Sequence, residues 1–86
     1  MKFEFEPGKS ASNRTKHGID FVEAQGLWDD ANLIEIPVRT DDECRYIVIG
    51  RIGCKHWSGI ITYRDDRVRI ISVRRAHKTE VAIYEG

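Results

Sequence analysis

Three strand-like segments follow one another in the second half of this chain, with only short turns between them. Apolar residues dominate or alternate over residues 45–52, 57–64 and 67–73, while Gly53 and the Asp65-Asp66 pair mark the turns. Connections this short leave no room for a crossover, so neighbouring strands have to run antiparallel. The succession predicts an antiparallel meander as the framework of the fold.

Weaker signals flank this meander on its N-terminal side. The alternation of Phe and Glu over residues 2–6 predicts a short strand, and residues 9–17 predict a helix that ends at Gly18. Residues 33–39 predict an edge strand, because Pro37 lacks the N–H group that a central strand needs.

Two more helices complete the predicted order. Asp20 and Glu23 have the spacing of a capping box and predict a helix over residues 21–28, and residues 74–85 predict a C-terminal helix. We therefore predict an α+β fold with N-terminal helices, an antiparallel sheet of three to four main strands, a short N-terminal strand and a C-terminal helix.

Length and composition narrow the classes of protein. A chain of 86 residues has room for one domain, which we predict over residues 1–86. No apolar run approaches the roughly 18 residues of a membrane span, and the N-terminus lacks a signal-peptide profile, so we expect a cytoplasmic protein without membrane contact. Cys44 and Cys54 do not form a CxxC pair, and the His residues are scattered. We expect no metal and no cofactor.

The formal net charge is zero, but the charges are unevenly distributed. Residues 1–44 contain five basic and ten acidic side chains, whereas residues 45–86 contain nine basic and four acidic ones. A basic half favours an anionic partner, and nucleic acid is the commonest one. The alternative is that the acidic and basic halves pair with each other across the fold.

Several arginines fall on or directly after the last predicted strand. Arg67 and Arg69 share one face of it, which favours an open polar groove because unpaired buried charge loses its hydration. Arg74 and Arg75 fall at the predicted start of the C-terminal helix, where cations oppose the helix dipole and a bound phosphate would compensate. A carboxylate of the chain itself, from residues 41–43, is the alternative partner.

Two smaller clusters also contain ionisable side chains. Lys16 and His17 complement the negative end of the predicted helix, and the alternative is that His17 transfers protons beside Lys16. Glu43 and Arg45 share a strand face as a surface pair, or Glu43 orients an arginine or acts as a general base.

The joint pattern resembles the BrnT family, the toxins of BrnT–BrnA type II toxin–antitoxin pairs. The N-terminal part of the resemblance is Phe3-Glu4-Phe5-Glu6, Lys9, Asn13, Lys16-His17-Gly18-Ile19, Phe21 and Ala24. The C-terminal part is Glu43-Cys44-Arg45-Tyr46, Gly50, Arg69-Ile70-Ile71-Ser72-Val73-Arg74-Arg75-Ala76, Glu80 and Tyr84. The chain departs from the usual pattern at Phe5, Glu6, Cys44 and Val73 and over residues 54–59, and none of these is a charged position to which a role is assigned below.

The resemblance implies a RelE-like fold and a metal-independent endoribonuclease that inhibits translation. It also implies a BrnA-like, ribbon-helix-helix antitoxin as partner, RNA as substrate, with or without the ribosome, and operator DNA bound only through the antitoxin. We assign Arg69 and Arg74 to phosphate binding, and His17 or Glu43, supported by Lys16, to proton transfer. The remaining candidates for substrate binding are Lys9, Arg45, Arg67 and Arg75.

Two other functions fit the same residues. A non-catalytic domain that binds nucleic acid or a protein partner would need the same cations, since phosphate binding and phosphate cleavage both use them. Alternatively, the arginines dock onto the acidic half of a second copy of the chain.

Overall fold

The computed structural model describes all 86 residues, from Met1 to Gly86, and contains five strands and three helices. The strands are β1 Lys2–Glu4, β2 Ile34–Val38, β3 Arg45–Ile52, β4 Lys55–Arg64 and β5 Arg67–Arg75. The helices are α1 Pro7–His17, a 3₁₀ helix Glu23–Asp29 and α2 Lys78–Glu85. The predicted α+β class and the C-terminal helix are confirmed. None of the helices is long and apolar enough to cross a membrane.

All five strands form one sheet in the order β1-β5-β4-β3-β2. The four strands from β2 to β5 pair antiparallel with their neighbours in sequence, as the short turns predict. β1 instead pairs parallel with β5, with Phe3 opposite Val68 and Glu4 opposite Arg69. Pro37 lies in β2 at the edge of the sheet, where its missing N–H costs no ladder bond.

The hydrophobic core lies on one face of this sheet, which we call the core face. Side chains from β3, β4 and β5 meet Phe21, Ala24 and Leu27 there, and all of these residues are buried. Gly50 of β3 allows Leu33 to pack closely against the strand, since a Cβ at position 50 would stand 2.8 Å from Leu33 Cδ1. The opposite face, which we call the outer face, is covered by α2 at one end only.

A bulge in β5 decides which side chains reach the outer face. Ile60 is opposite Ser72 whereas Ile61 is opposite Ile70, so Ile71 is one residue too many for the ladder. In a regular strand, Arg69 and Arg74 would point to opposite faces because their spacing is odd. The extra residue reverses the alternation, and both arginines therefore lie on the outer face.

Two predicted boundaries are wrong. Residues 21–28 do not form an α-helix, because the reciprocal bonds of Asp20 and Glu23 close a turn before a 3₁₀ helix that begins at Glu23. The last strand does not end at residue 73 but continues to Arg75, since its ladder with β4 extends to Trp57. Arg74 and Arg75 are therefore strand residues, and α2 begins only at Lys78.

Asn13 fastens α1 to the free edge of β5 beyond the end of β1. Its side-chain amide donates to the carbonyls of Ile19 and Val73, both at 2.8 Å, and its Oδ1 accepts from the Val73 N–H at 3.1 Å. The buried Asn13 side chain thus makes hydrogen bonds that a further strand would otherwise make with this edge. It gives partners to buried backbone groups that have no access to water.

We expect Asn13→Ala to lower the free energy of unfolding by about 2 kcal/mol, because it leaves three buried backbone groups without partners. Asn13→Asp keeps the acceptor and loses both donors, so its loss is expected to be no smaller. Urea unfolding of the purified variants measures both effects, and an alanine variant as stable as the wild type would contradict the role of Asn13.

Candidate functional site

The end of the outer face farthest from α2 gathers four arginines from three strands: Arg45, Arg64, Arg67 and Arg69. Thr62 lies opposite both Arg45 and Arg69, so these three residues form a cross-strand row, which we call the arginine row. Two strand spacings separate the flanking arginines, or about 10 Å between Cα atoms. Arg67 is exposed as predicted, whereas Arg69 is only 28% exposed and has an internal carboxylate partner; Val68 and Ile70 are buried in the core.

Glu4 orients Arg69 from the parallel strand β1. Its Oε2 lies 2.7 Å from Arg69 Nη1, and both side chains are about three-quarters buried, at 24% and 28% exposure. A guanidinium group has five N–H donors, and only Nη1 of Arg69 has a protein acceptor. Arg69 is therefore held in one orientation and retains donors for an anion.

Glu43 lies beside the other end of the row. Its two carboxylate oxygens face Arg45 Nη2 at 3.7 Å and Arg64 Nη2 at 3.9 Å. Arg45 Nε is buried and has no hydrogen-bond partner. A cavity of about 290 Å³ opens here between the end of β2 and the start of β3, and both Glu43 and Arg45 line it.

Arg74 lies in a different environment. It makes a two-pronged ion pair with Glu80 of α2, with Nη1–Oε1 at 2.7 Å and Nη2–Oε2 at 2.8 Å. Ser58 and the His77 N–H also donate to Glu80 Oε1, at 2.9 Å and 2.7 Å. The hydrogen bond from Arg74 lowers the pKa of Glu80 to about 2, and Glu80 in turn raises the pKa of Arg74.

The structure therefore separates the two arginines that the sequence assigns to phosphate binding. Arg69 and Arg74 share a face but lie five residues apart on β5, roughly 15 Å at the usual rise per residue. Arg69 is directed to β1 and Arg74 to α2, at opposite ends of the sheet. The anion that was predicted to compensate Arg74 is the internal carboxylate of Glu80, not one from residues 41–43. No cavity adjoins either arginine.

The remaining predicted site residues lie away from the arginine row. Lys9, Lys16 and His17 are exposed on α1, which contacts β5 at Val73, and none of them has a carboxylate partner. Gly18 ends α1 with a φ of 79°, and Arg14, Lys16 and His17 occupy its last turn, so the interpretation of a charged helix end is confirmed. Arg75 is exposed with its guanidinium 5.5 Å from the Trp57 ring.

Several residues of the site escape sequence reasoning. Glu4, Thr62 and Arg64 join the cluster only through strand register, which no local pattern specifies. A second cavity, of about 490 Å³, lies at the opposite end of the sheet beside Asp30 and Tyr84. There the Tyr84 hydroxyl donates to Asp30 Oδ2 at 2.6 Å, which lowers the pKa of Asp30 and raises that of Tyr84. No group of three or more His, Cys, Asp or Glu side chains is arranged to hold a metal ion.

The fold and the outer face define a class: a small α+β domain that presents arginines and a carboxylate on an open sheet face, as domains that bind anionic polymers do. The chain belongs to the BrnT family. The family model described as "Ribonuclease toxin, BrnT, of type II toxin-antitoxin system" matches residues 5–80. No curated protein matches the chain. The resemblance predicted from the motifs is confirmed, and with it a toxin family with ribonuclease activity and an antitoxin partner.

Proposed function

We propose that this chain is a metal-independent endoribonuclease whose substrate binds over the arginine row. Family membership supports the reaction class. The observation that supports a site on the outer face is the gathering of Arg45, Arg69 and Glu43 on one side of the sheet, next to a cavity that Arg45 and Glu43 line. In this proposal the chain is a single domain with the predicted RelE-like fold, and it acts in the cytoplasm.

The chemistry needs cations, a base and an acid. The ribose 2′-oxygen attacks the adjacent phosphorus and forms a new P–O bond, the P–O5′ bond breaks, and the 5′-oxygen leaves with a proton. Negative charge grows on the phosphate oxygens in this transition state, and a guanidinium fork binds such oxygens in two places. Arg69 offers N–H donors that no protein group accepts, and the guanidinium group of Arg45, whose Nε is buried and unpartnered, adds a second positive charge beside the row.

Two candidates for proton transfer remain, and they lie apart. Glu43 adjoins Arg45, whose register partner Thr62 is also opposite Arg69. His17 and Lys16 lie at the end of α1, and no hydrogen bond or ion pair joins either to Glu43, Arg69 or Arg74. Glu43 lies beside Arg45 and Arg64, and this proximity to the arginines favours Glu43 as the base.

Arg74 and Arg75 have other roles in this proposal. Arg74 uses both Nη atoms on Glu80, so it contacts phosphate only where Glu80 releases it. Arg67 lies next to Arg69 on the outer face, is exposed and has no ion pair, so it is available for a neighbouring phosphate of the RNA strand. Arg75 lies opposite Trp57 on the core face and Lys9 lies on α1, so in this proposal both contact only more distant parts of the RNA.

Incubation of the pure chain with RNA in EDTA tests the proposal. We expect cleavage to continue, with 2′,3′-cyclic phosphate and 5′-hydroxyl ends, because the attacking group belongs to the RNA itself. Glu43→Gln is expected to lose most of this activity, while His17→Gln retains it. The reverse pattern would move the base to α1, and binding without any cleavage would favour the regulatory domain instead.

The proposal includes an antitoxin partner. An antitoxin of the ribbon-helix-helix type neutralises the chain, and the complex contacts operator DNA through the antitoxin alone. Induced expression of the chain is expected to stop translation and growth, and co-expression of the neighbouring gene is expected to restore both. Growth that continues at full rate with the folded protein present would contradict the toxin function.

A further inference from the structure

The outer face contains an apolar stripe that no element of the chain covers. Ile36, Ile47 and Ile60 are directly opposite one another on β2, β3 and β4, and Ser72 of β5 continues the row. None of the three isoleucines belongs to the core cluster, and all are only partly buried. We call this row the isoleucine stripe.

Two different borders enclose the stripe. On one side lies the arginine row, two residues further along β3 and β4 and three residues along β5, where the bulge adds one. On the other side lies α2, which is fixed over Ser58 and Arg74 by Glu80 and leaves Ile83 50% exposed. The stripe is therefore the floor of a shallow groove with a basic wall and a helical wall.

The two faces of the sheet differ in how much helix covers them. There, α1 and the 3₁₀ helix complete a layer over the sheet, whereas the outer face has only the eight residues of α2. The four strands from β2 to β5 span about 14 Å, and a helix of ten residues is about 15 Å long and 10 Å wide. One helix laid beside α2 would fill the groove.

We propose that the isoleucine stripe is the docking site for an amphipathic helix of the antitoxin, with acidic residues directed at the arginine row. This inference rests on the proposed function only in placing RNA at the same row. The occupant is a protein because a toxin of a type II pair has an antitoxin partner and because a floor of isoleucines offers RNA neither positive charge nor aromatic rings for stacking. Its acidic side follows from the charge of Arg45 and Arg69, which lie within one side-chain length of the stripe.

The arrangement gives neutralisation a direct physical cause. A helix on the stripe would bring its acidic side chains onto the donors that the RNA phosphate needs. Antitoxin and RNA would then compete for one surface without any change in the fold of the toxin.

Methyl spectra of the isoleucines test the docking site with a control inside the same chain. On titration with the purified antitoxin, the δ1-methyl signals of Ile36, Ile47 and Ile60 are expected to shift. Those of Ile61 and Ile70, buried on the core face, are expected to stay in place. Shifts confined to other isoleucines would overturn the proposal, as would shifts of the stripe with an RNA oligonucleotide and none with the antitoxin.

Matched variants measure how much the stripe contributes to the affinity for the antitoxin. Ile47→Thr and Ile60→Thr keep β-branching and remove apolar contact, so we expect each to weaken antitoxin binding about 10-fold. Val22→Thr, an exposed position outside the stripe, is expected to bind like the wild type. Full affinity in both stripe variants would overturn the docking site. Since the assay measures binding, its outcome is independent of whether the chain cleaves RNA.

Discussion

Arg69→Ala is expected to lower the rate of RNA cleavage about 100-fold while the protein remains folded. Arg69 retains N–H donors that no protein group accepts, and the loss of one such contact to the charge of a transition state costs about 3 kcal/mol. Single-turnover cleavage of a defined RNA, with circular dichroism to monitor the fold, measures both parts of this result.

Two controls separate the charge of Arg69 from its geometry. Arg69→Lys keeps the charge but loses the fork, so it is expected to recover only a small part of the activity. Arg14→Ala removes an arginine of α1 that pairs with Glu23 at the surface, and it is expected to cleave RNA like the wild type. An Arg69→Ala variant that cleaves at the wild-type rate would remove the arginine row from the mechanism.

Arg74→Ala is expected to act chiefly on stability, in contrast to the expectation from sequence that it resembles Arg69→Ala. Glu80 is only 13% exposed and accepts both prongs of Arg74, so the variant leaves a mostly buried carboxylate without its cation. We expect a loss of about 2–3 kcal/mol in the free energy of unfolding, because the pair is partly buried and doubly hydrogen-bonded.

The pH dependence of the same pair provides an independent measurement. The pKa of Glu80 lies at about 2 in the folded chain and near 4.5 ordinarily, so the folded state binds the proton less readily than the unfolded state. The stabilisation is therefore complete above pH 4.5 and is lost as the pH falls from there towards 2. Glu80→Gln lacks this contribution. The stability difference between wild type and Glu80→Gln is expected to shrink over that interval, and a difference constant in pH would contradict the role of the pair.

Much of the fold can be predicted from local pattern. The turns at Gly53 and at Asp65-Asp66 are too short for anything but antiparallel neighbours, and they fix three of the five strands, β3, β4 and β5. The helix stop at Gly18 depends on one residue that accepts a positive φ without strain. The boundary at Arg74 could not be predicted, since strand and helix patterns both fit residues 74–75, and only the ladder with Trp57 and Ser58 decides between them.

The candidate site was predictable in part. Composition and strand alternation identify Arg67 and Arg69 as outward-facing cations, because Val68 and Ile70 must be buried. The neighbours of Arg69 were not predictable. Glu4 comes from a strand 65 residues earlier in the chain, and it reaches Arg69 only because β1 adds to the sheet in parallel.

The amino-acid sequence by itself determined the family, the antiparallel framework and the excess of positive charge in the second half, since these depend on residue type and on near neighbours. The tertiary structure alone decided which arginines are free. A single bulge at Ile71 turns Arg74 to the same face as Arg69, and the carboxylate of Glu80 in α2 then accepts from both of its Nη atoms. The physical reason is that charge pairing depends on distances of a few ångströms between residues far apart in the chain, which strand register sets and local sequence does not.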